Sequence, residues 1–391
     1  MNFDEIVERI HTGSLKWDGL EALFGEKNLL PLWVADMDFR APEEVISALH
    51  TRVEHGVFGY QAPQEELDQA IIDWWNTRHH FAIERDWLVH CPGVVPSLSL
   101  SVQTFTDPND SIVIQPPVYP PFFKVIKENG RLAVNNPLQL IEGQYKMDFD
   151  HLAQQFEKGA KMLILCNPHN PVGRVFNREE LDTLGKLCEH YGVTVLSDEI
   201  HGDLVYPPHV HTPFASVREE FLSFSITFAA PSKTFNIAGL HASYAIIPNP
   251  TLRKTFIKAL DRLGLRMQNV LSSAAMQAAY RFGAPWLNEL LVYLQDNLIF
   301  LQHELQSRLP EITMQIPQGT YLAWLDCRKL GLSTDELSTF MVRQAGLALN
   351  SGAAFGIEGE GFMRLNIACP RSTLQRAIDQ LEHAVKQIRT N

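Results

Sequence analysis

The chain is poor in cysteine and in positive charge, and it has no long apolar run. Each shortage excludes something. Its five cysteines, Cys91, Cys166, Cys188, Cys327 and Cys369, form no C-x-x-C pair and no metal-ligand spacing. Most lie in apolar segments, which reads as buried thiols in a reducing compartment and hence a cytoplasmic protein. No apolar stretch approaches the length of a membrane span, so no membrane association is expected. Met1 to Ile10 carries Asp4, Glu5 and Glu8 in place of an apolar run, so no signal peptide is expected. Lysine and arginine number 33 against 45 acids, a net charge of -12 with no basic run, which argues against nucleic acid. The 15 histidines are many, yet no H-x-x-x-H pair falls on one helix face. His79-His80 and His209/His211 read as surface turns, and no metal is expected. Repeats and low-complexity segments are also missing. What remains is ordinary globular composition, 45% hydrophobic and 20% charged, in a chain of 391 residues. That length suits two or three domains and a sizeable core.

Periodicity supplies the architecture. Val45, Ile46, Leu49 and Val53 have helical spacing over about 42–56, with Pro42 in the first turn. Leu67, Ala70, Ile71, Trp74 and Trp75 mark a second amphipathic helix. From about 88 to 248 short apolar strands alternate with helices: Ser111–Gln115, Met162–Cys166, Val193–Leu196, Ser223–Phe228 and Ser243–Ile247. Asn177 and Glu180 form a capping box for one of these helices, whose stripe is Leu181, Leu184, Leu187, Cys188 and Tyr191 and whose end is Gly192. Alternation of this kind predicts an α/β fold with a mainly parallel, doubly wound sheet. Beyond about 250 the chain is helix-rich, with stripes at Leu252 to Leu263 and at Leu294 to Leu309, and then a smaller α+β unit. The last helix is expected to open on a Ser372/Gln375 capping box. We divide the chain into an N-terminal segment, 1–45, that joins the small domain, a large domain, 46–289, and a C-terminal small domain, 290–391.

Polar motifs sit where three of the strands end. Leu222 to Phe228 leads to Ser232-Lys233-Thr234-Phe235-Asn236. Val193 to Leu196 leads to Ser197-Asp198-Glu199. Met162 to Cys166 leads to Asn167-Pro168-His169-Asn170-Pro171-Val172-Gly173. In doubly wound sheets ligands bind beyond the carboxyl ends of the strands. A lysine, an aspartate and an asparagine delivered there are the groups needed to hold pyridoxal phosphate (PLP). The lysine can form a Schiff base with its aldehyde, and a carboxylate can pair with its pyridine nitrogen.

With the strands placed, the chain resembles the fold-type I PLP enzymes of the aspartate-aminotransferase superfamily. Within them it looks most like the cystathionine β-lyase, or C–S lyase, group. The strings that carry the resemblance are Pro31-Leu32-Trp33-Val34-Ala35-Asp36-Met37-Asp38-Phe39, Gly93-Val94-Val95-Pro96, Ser197-Asp198-Glu199-Ile200-His201 and Ser232-Lys233-Thr234-Phe235-Asn236-Ile237-Ala238-Gly239-Leu240. They occur in that order along nearly the whole chain. The resemblance implies a PLP-dependent transferase-like fold with a seven-stranded-type sheet. It implies that Lys233 carries the cofactor and acts as base at Cα, that Asp198 pairs with the pyridine nitrogen, and that Asn170 donates to the ring hydroxyl oxygen. It further implies that Tyr119 stacks on the ring and that Val94, Val95 and Ser232 bind the phosphate. Arg364 would take the substrate α-carboxylate, with Ala35 nearby. Asp36 would repel that carboxylate, so its side chain is expected to point away. Tyr60 would reach the phosphate across the interface of a homodimer with shared sites.

Some positions depart from the aminotransferase pattern. His201 stands where those enzymes place a tyrosine that contacts the cofactor, which agrees with the C–S lyase group. His241 replaces a phosphate-binding arginine, and Ala230 replaces a serine. The expected reaction is α,β-elimination on L-cystathionine or a related L-cysteine thioether, giving thiol, pyruvate and ammonia. An aminotransferase is the alternative, since the same carbanion can be protonated elsewhere. One member of the resembling group is known for both an enzymatic and a regulatory role; with no helix-turn-helix or basic patch here, a regulatory protein acting by protein contact is the alternative from another class. The partner expected in each enzymatic case is a small amino-acid substrate.

Overall fold

The alternating apolar strands assemble into a seven-stranded sheet in the computed structural model, which describes residues 1–390. In chain order the strands are β1 (Leu88–Cys91), β2 (Ser111–Ile114), β3 (Leu132–Asn135), β4 (Met162–Cys166), β5 (Thr194–Asp198), β6 (Ser225–Ala229) and β7 (Ser243–Ile246). Across the sheet they run β1-β7-β6-β5-β4-β2-β3. Strands β2 to β6 pair in parallel, while β7 is antiparallel to both β6 and β1.

Both faces of the sheet are covered, as a parallel sheet requires. Met162, Ile164 and Cys166 point into one apolar layer, with helices Val94–Phe105, Pro121–Glu128 and Pro250–Arg262. Leu163 and Leu165 point into the opposite layer, with helices Phe149–Glu157 and Arg178–Tyr191. The capping box of the latter helix is present: Asn177 accepts from the Glu180 amide and Glu180 from the Asn177 amide, and Gly192 closes the helix in the left-handed region. Gly185 lets that helix approach the Phe221 ring, since a Cβ there would lie 2.1 Å from it.

Several expectations shift. Leu222 and Ser223 belong to a 3-10 turn, Glu219–Ser223, and β6 begins only at Ser225. The buried Phe221 stacks on Phe214 and its carbonyl accepts from Ser225 Oγ, so the chain is still turning there. Strands β1 and β3 stand outside the expected set: β1 is interrupted by His90, and β3 is a largely exposed edge. Pro42 caps helix Glu43–His55 and stands just outside it. The last helix starts at Arg371, with the Pro370 carbonyl accepting from Thr373 and Leu374, so Ser372 lies inside the first turn and is not its cap.

Beyond the long helix Ala284–Arg308 a second sheet forms from β8 (Thr313–Met314), β9 (Leu322–Asp326), β10 (Asn350–Ser351) and β11 (Phe362–Asn366). It is antiparallel throughout, in the order β8-β9-β11-β10. The N-terminal segment meets it: Leu30–Pro31 pairs in parallel with Leu347–Ala348, and the Asn366 amide donates to Leu32 O. Farther back, the fully buried Lys16 donates to Asp38 Oδ2 at 2.7 Å. The loop of residues 33–38 is therefore tied at both ends as it passes the strand ends.

Candidate active site

Register aligns the polar strand ends. Asp198 is the last residue of β5 and pairs with Cys166 on one side and Phe228 on the other. The parallel strands thus release their following loops on one edge of the sheet. Lys233 sits on a one-turn helix, Pro231–Thr234, directly after β6. A helix that short cannot hold itself in water, and its neighbours tether it. Asn236 donates to Met37 O and Phe39 O and accepts from the Met37 amide. Phe235 is fully buried, 5.6 Å from the Trp74 ring. The Lys233 amine donates to Ala35 O at 2.7 Å. Burial first, then the charge of Arg364, pushes this amine down to about 8, against the opposing pull of Asp36 and Asp198.

The Asp198 carboxylate is buried, and its Oδ1 accepts from the Ile200 amide at 3.1 Å. Burial pushes it up to about 7, with the Ile200 amide and then Lys233 pulling the other way. A buried acid in that position needs a cation beside it. His201 is also buried and pushed down to about 3, chiefly by burial, so its imidazole is neutral. Among the described residues its Nδ1 has no hydrogen-bond partner. Its ring stands 6.0 Å from that of Tyr321.

Arg364 projects from β11, opposite Asn350 on β10. Its Nη2 donates to Asn350 Oδ1 and to Trp33 O, both at 2.7 Å, and its Nη1 donates to Asn170 Oδ1 at 3.1 Å. The guanidinium lies 5.0 Å above the Phe355 ring, and among the described residues its Nε has no partner. Burial lowers it to about 10. Since arginine only donates, the Asn170 amide nitrogen faces away from it and is left as a donor. The phenol of Tyr119 is raised by burial and then by Asp198, while Arg364 opposes, so these side chains share one field.

At the other end, Gly93 precedes helix Val94–Phe105 with φ 155°, and a Cβ there would come 3.2 Å from Pro96 Cδ. Pro96 has no N–H, and the Ser97 amide is bonded to Gly93 O. The amides of Val94 and Val95 have no acceptor within the helix by position, which makes this terminus suited to an anion. Ser232 is buried on the lysine turn.

These groups fit pyridoxal phosphate: an amine for its aldehyde, a buried carboxylate for a ring cation, a spare amide donor, and helix-terminal amides for its phosphate. The fit rests on the raised Asp198 and on the unpartnered Nδ1 of His201.

Some sequence candidates lie elsewhere. Tyr60 is 92% exposed, beside the exposed Val57 and Phe58, and takes no part in the site of its own chain. His241 is exposed, with φ 54°, and lines a cavity of about 210 Å³ with His90 and Cys91. Ala35 offers Lys233 its carbonyl. The Asp36 side chain is held by Arg9, 2.8 Å away, and lies 3.6 Å from Lys16. His79 and His211 are not on surface turns. His211 is buried against Glu199 at 2.9 Å, and His79 bonds Asp203 at 2.9 Å. Sequence reasoning also gave no role to Asn350, Tyr321 and Trp33: the first two carry no motif and arrive by folding, and Trp33 takes part through its carbonyl.

A family model, aminotransferase class I and II, matches residues 27–381. A cystathionine β-lyase, PatB of Bacillus subtilis strain 168, is 46% identical over 98% of this chain and 100% of its own length. Protein MalY of Escherichia coli K12 is 37% identical over 99% of this chain and 100% of its own length. The PLP-bound C–S lyase structure from Staphylococcus hominis superposes with a TM-score of 0.92 at 35% identity, covering 98% of this chain and 99% of that one. With the site geometry and a match spanning nearly its whole length, the chain belongs to the aminotransferase class I and II family.

Proposed function

We propose that the protein is a PLP-dependent carbon–sulfur lyase. It performs α,β-elimination on L-cystathionine or related L-cysteine thioethers, giving thiol, pyruvate and ammonia. The carrying observation is the grouping of Lys233, Asp198, Asn170 and Arg364 around a neutral, buried His201, where aminotransferases place a tyrosine. The names of the relatives, a cystathionine β-lyase and a C–S lyase, support it.

When bound, PLP supplies the aldehyde that links to an amino group and the ring that takes up the electron pair left at Cα. Arg364 binds the substrate α-carboxylate through its planar fork, and the buried Nε gives it a further donor. Lys233, already lowered to about 8, removes the Cα proton near neutral pH. Asp198 would hold a positive charge on the ring nitrogen, which is also the cation its own burial calls for. Asn170 would donate to the ring oxygen through its amide nitrogen. Val94, Val95 and Ser232 would hold the phosphate. The Cβ–S bond breaks, Lys233 returns a proton to sulfur, and hydrolysis of the three-carbon remainder yields pyruvate and ammonia.

The same reading makes the protein a homodimer with Tyr60 reaching the partner's site, which the exposed Val57, Phe58 and Tyr60 support. It places the protein in the cytoplasm, supported by five buried, free cysteines. Among the described residues no helix is long and apolar enough to cross a membrane. The division at 45 and 289 stands as a proposal beside it.

The test is direct. Purified protein with PLP and L-cystathionine releases pyruvate and thiol in equal amounts with no keto acid added. Turnover that required 2-oxoglutarate and produced glutamate would replace the lyase reading with an aminotransferase, the activity named in the family description.

A further inference from the structure

Beneath the lysine turn lies a buried polar network that the reaction above does not use. The hydroxyl of Thr234, the residue after Lys233, donates to Asp203 Oδ2 at 2.8 Å. Asp203 Oδ1 accepts from Trp74 Nε1 and lies against His79 Nε2, each at 2.9 Å. Arg78 Nε stands 4.0 Å from the same oxygen. A second arm runs under Asp198: Glu199 takes Ser197 Oγ at 2.8 Å, the Phe214 amide at 3.0 Å and His211 Nε2 at 2.9 Å. The two imidazoles meet edge to face, with centroids 5.3 Å apart. Gly202 leaves the space for His211, since a Cβ there would lie 3.0 Å from its ring.

We propose that Asp203 is a positioning residue for Lys233, acting through the hydroxyl of Thr234. The lysine turn has a single helical turn of its own and is held by neighbours. Phe235 fixes it by packing and Asn236 by bonds to the backbone of the 33–39 loop. Thr234 joins it instead to helix Glu65–His79 and to the chain just past Asp198, both on the large domain. Thr234 is fully buried and Asp203 nearly so, so a lost bond there leaves an acceptor without water. Asp203 stays ionised despite burial: its carboxyl is lowered by His79 foremost, then by the charge of Arg78 and the Thr234 hydroxyl. Burial lowers His79, and beside an ionised Asp203 its Nε2 carries the proton and donates. The carboxylate thus accepts from Trp74, His79 and Thr234 at once, a geometry that fixes Thr234 and with it the adjoining lysine.

This rests on Lys233 carrying the cofactor. Thr234→Val keeps the shape and removes the donor, whereas Thr234→Ser keeps the donor. In the holoenzyme, visible circular dichroism per bound PLP reports the fixed orientation of the cofactor relative to its lysine. Thr234→Val should lower that signal by about half or more and kcat by about tenfold, with KM within about twofold, as for one lost hydrogen bond to a charged group. Thr234→Ser should restore both. An unchanged Thr234→Val, or a Thr234→Ser as impaired as Thr234→Val, overturns the proposal. Should Thr234→Val not fold, Asp203→Asn is read in the same way, with the same loss expected and a wild-type signal again overturning it. Borohydride reduction and peptide mapping of the wild type separate the two levels. A pyridoxyl group on another lysine removes both readings, whereas label on Lys233 with a normal Thr234→Val removes this one alone.

Discussion

The amine of Lys233 lies 2.7 Å from the carbonyl oxygen of Ala35, an oxygen that also accepts from the Tyr321 hydroxyl at 2.9 Å. The lysine therefore has an acceptor ready whenever its amine is not joined to cofactor. The acceptor is neutral, so it steadies the amine without the strong ion pair that would hold it protonated. Burial and Arg364 then set its basicity, and Asp36 is kept occupied by Arg9.

Lys233→Ala should abolish turnover by at least about a thousandfold, because base and attachment point vanish together. Mass spectrometry of borohydride-reduced wild type should find the pyridoxyl group on Lys233. At pH 8 about half of this amine is neutral, against under about 1% for an ordinary lysine. The rate of PLP capture by the apoprotein should accordingly rise through pH 8. A rise delayed to pH 10 would mean that burial does not act on this amine.

Asp198 makes a prediction about the apoprotein. Its folded value, about 7, is raised above the ordinary 3.8 of an aspartate. The folded state therefore binds more protons than the unfolded one between about pH 4 and pH 7, and stability falls as pH rises through that window. Asp198→Asn lacks the ionisation. Urea unfolding of apoproteins should show the variant gaining on wild type from pH 4 to pH 8, by on the order of 4 kcal/mol at the top. In the holoenzyme the gain should shrink, because a ring cation beside Asp198 lowers it again. Parallel curves for the two apoproteins would refute the raised carboxyl.

Arg364→Lys keeps a charge and loses the fork. Asn350, Trp33 O and Asn170 each lose a fixed donor, and a lysine cannot meet a carboxylate at two points. We expect kcat/KM to fall by about a hundredfold, with bound PLP unchanged. Loss of PLP in the same variant would mean that Arg364 serves the cofactor and not the substrate.

Much of this site was legible because its chemistry is local. Strand-end lysine, aspartate and asparagine each follow an apolar run, and a parallel sheet brings such ends to one edge. Capping at Asn177 and Gly192 was legible for the same reason, since it is decided within a few residues. Contacts made only by tertiary folding were not. Asn350 meets Arg364 by pairing of β10 with β11, and Tyr321 reaches Ala35 across 286 residues of sequence. His79 and His211 looked like turn residues because histidine next to polar neighbours gives no sign of burial. Each is held by a carboxylate far along the chain or across a loop, Asp203 and Glu199. Ser372 failed as a cap because the helix already starts at Arg371, with the Pro370 carbonyl accepting its first bonds.

The role proposed for Tyr60 depends on a second copy of the chain. A tyrosine 92% exposed, with Val57 and Phe58 exposed beside it, has no work in its own site. If it completes the partner's phosphate site, the dimer has two-fold symmetry and each site combines Lys233 of one subunit with Tyr60 of the other. Tyr60→Phe and Lys233→Ala then damage different halves of the same unit. In a hybrid dimer one site carries both changes and the other carries neither. Random mixing makes half the dimers hybrid, so an equimolar mixture should recover about a quarter of wild-type activity from two weak parents. Recovery should track subunit exchange and follow the same time course as hybrid formation. A mixture no more active than the mean of its parents, with hybrids demonstrated by mass spectrometry, would place Tyr60 outside the site. Sedimentation of the protein as a monomer at working concentration would remove the shared site altogether.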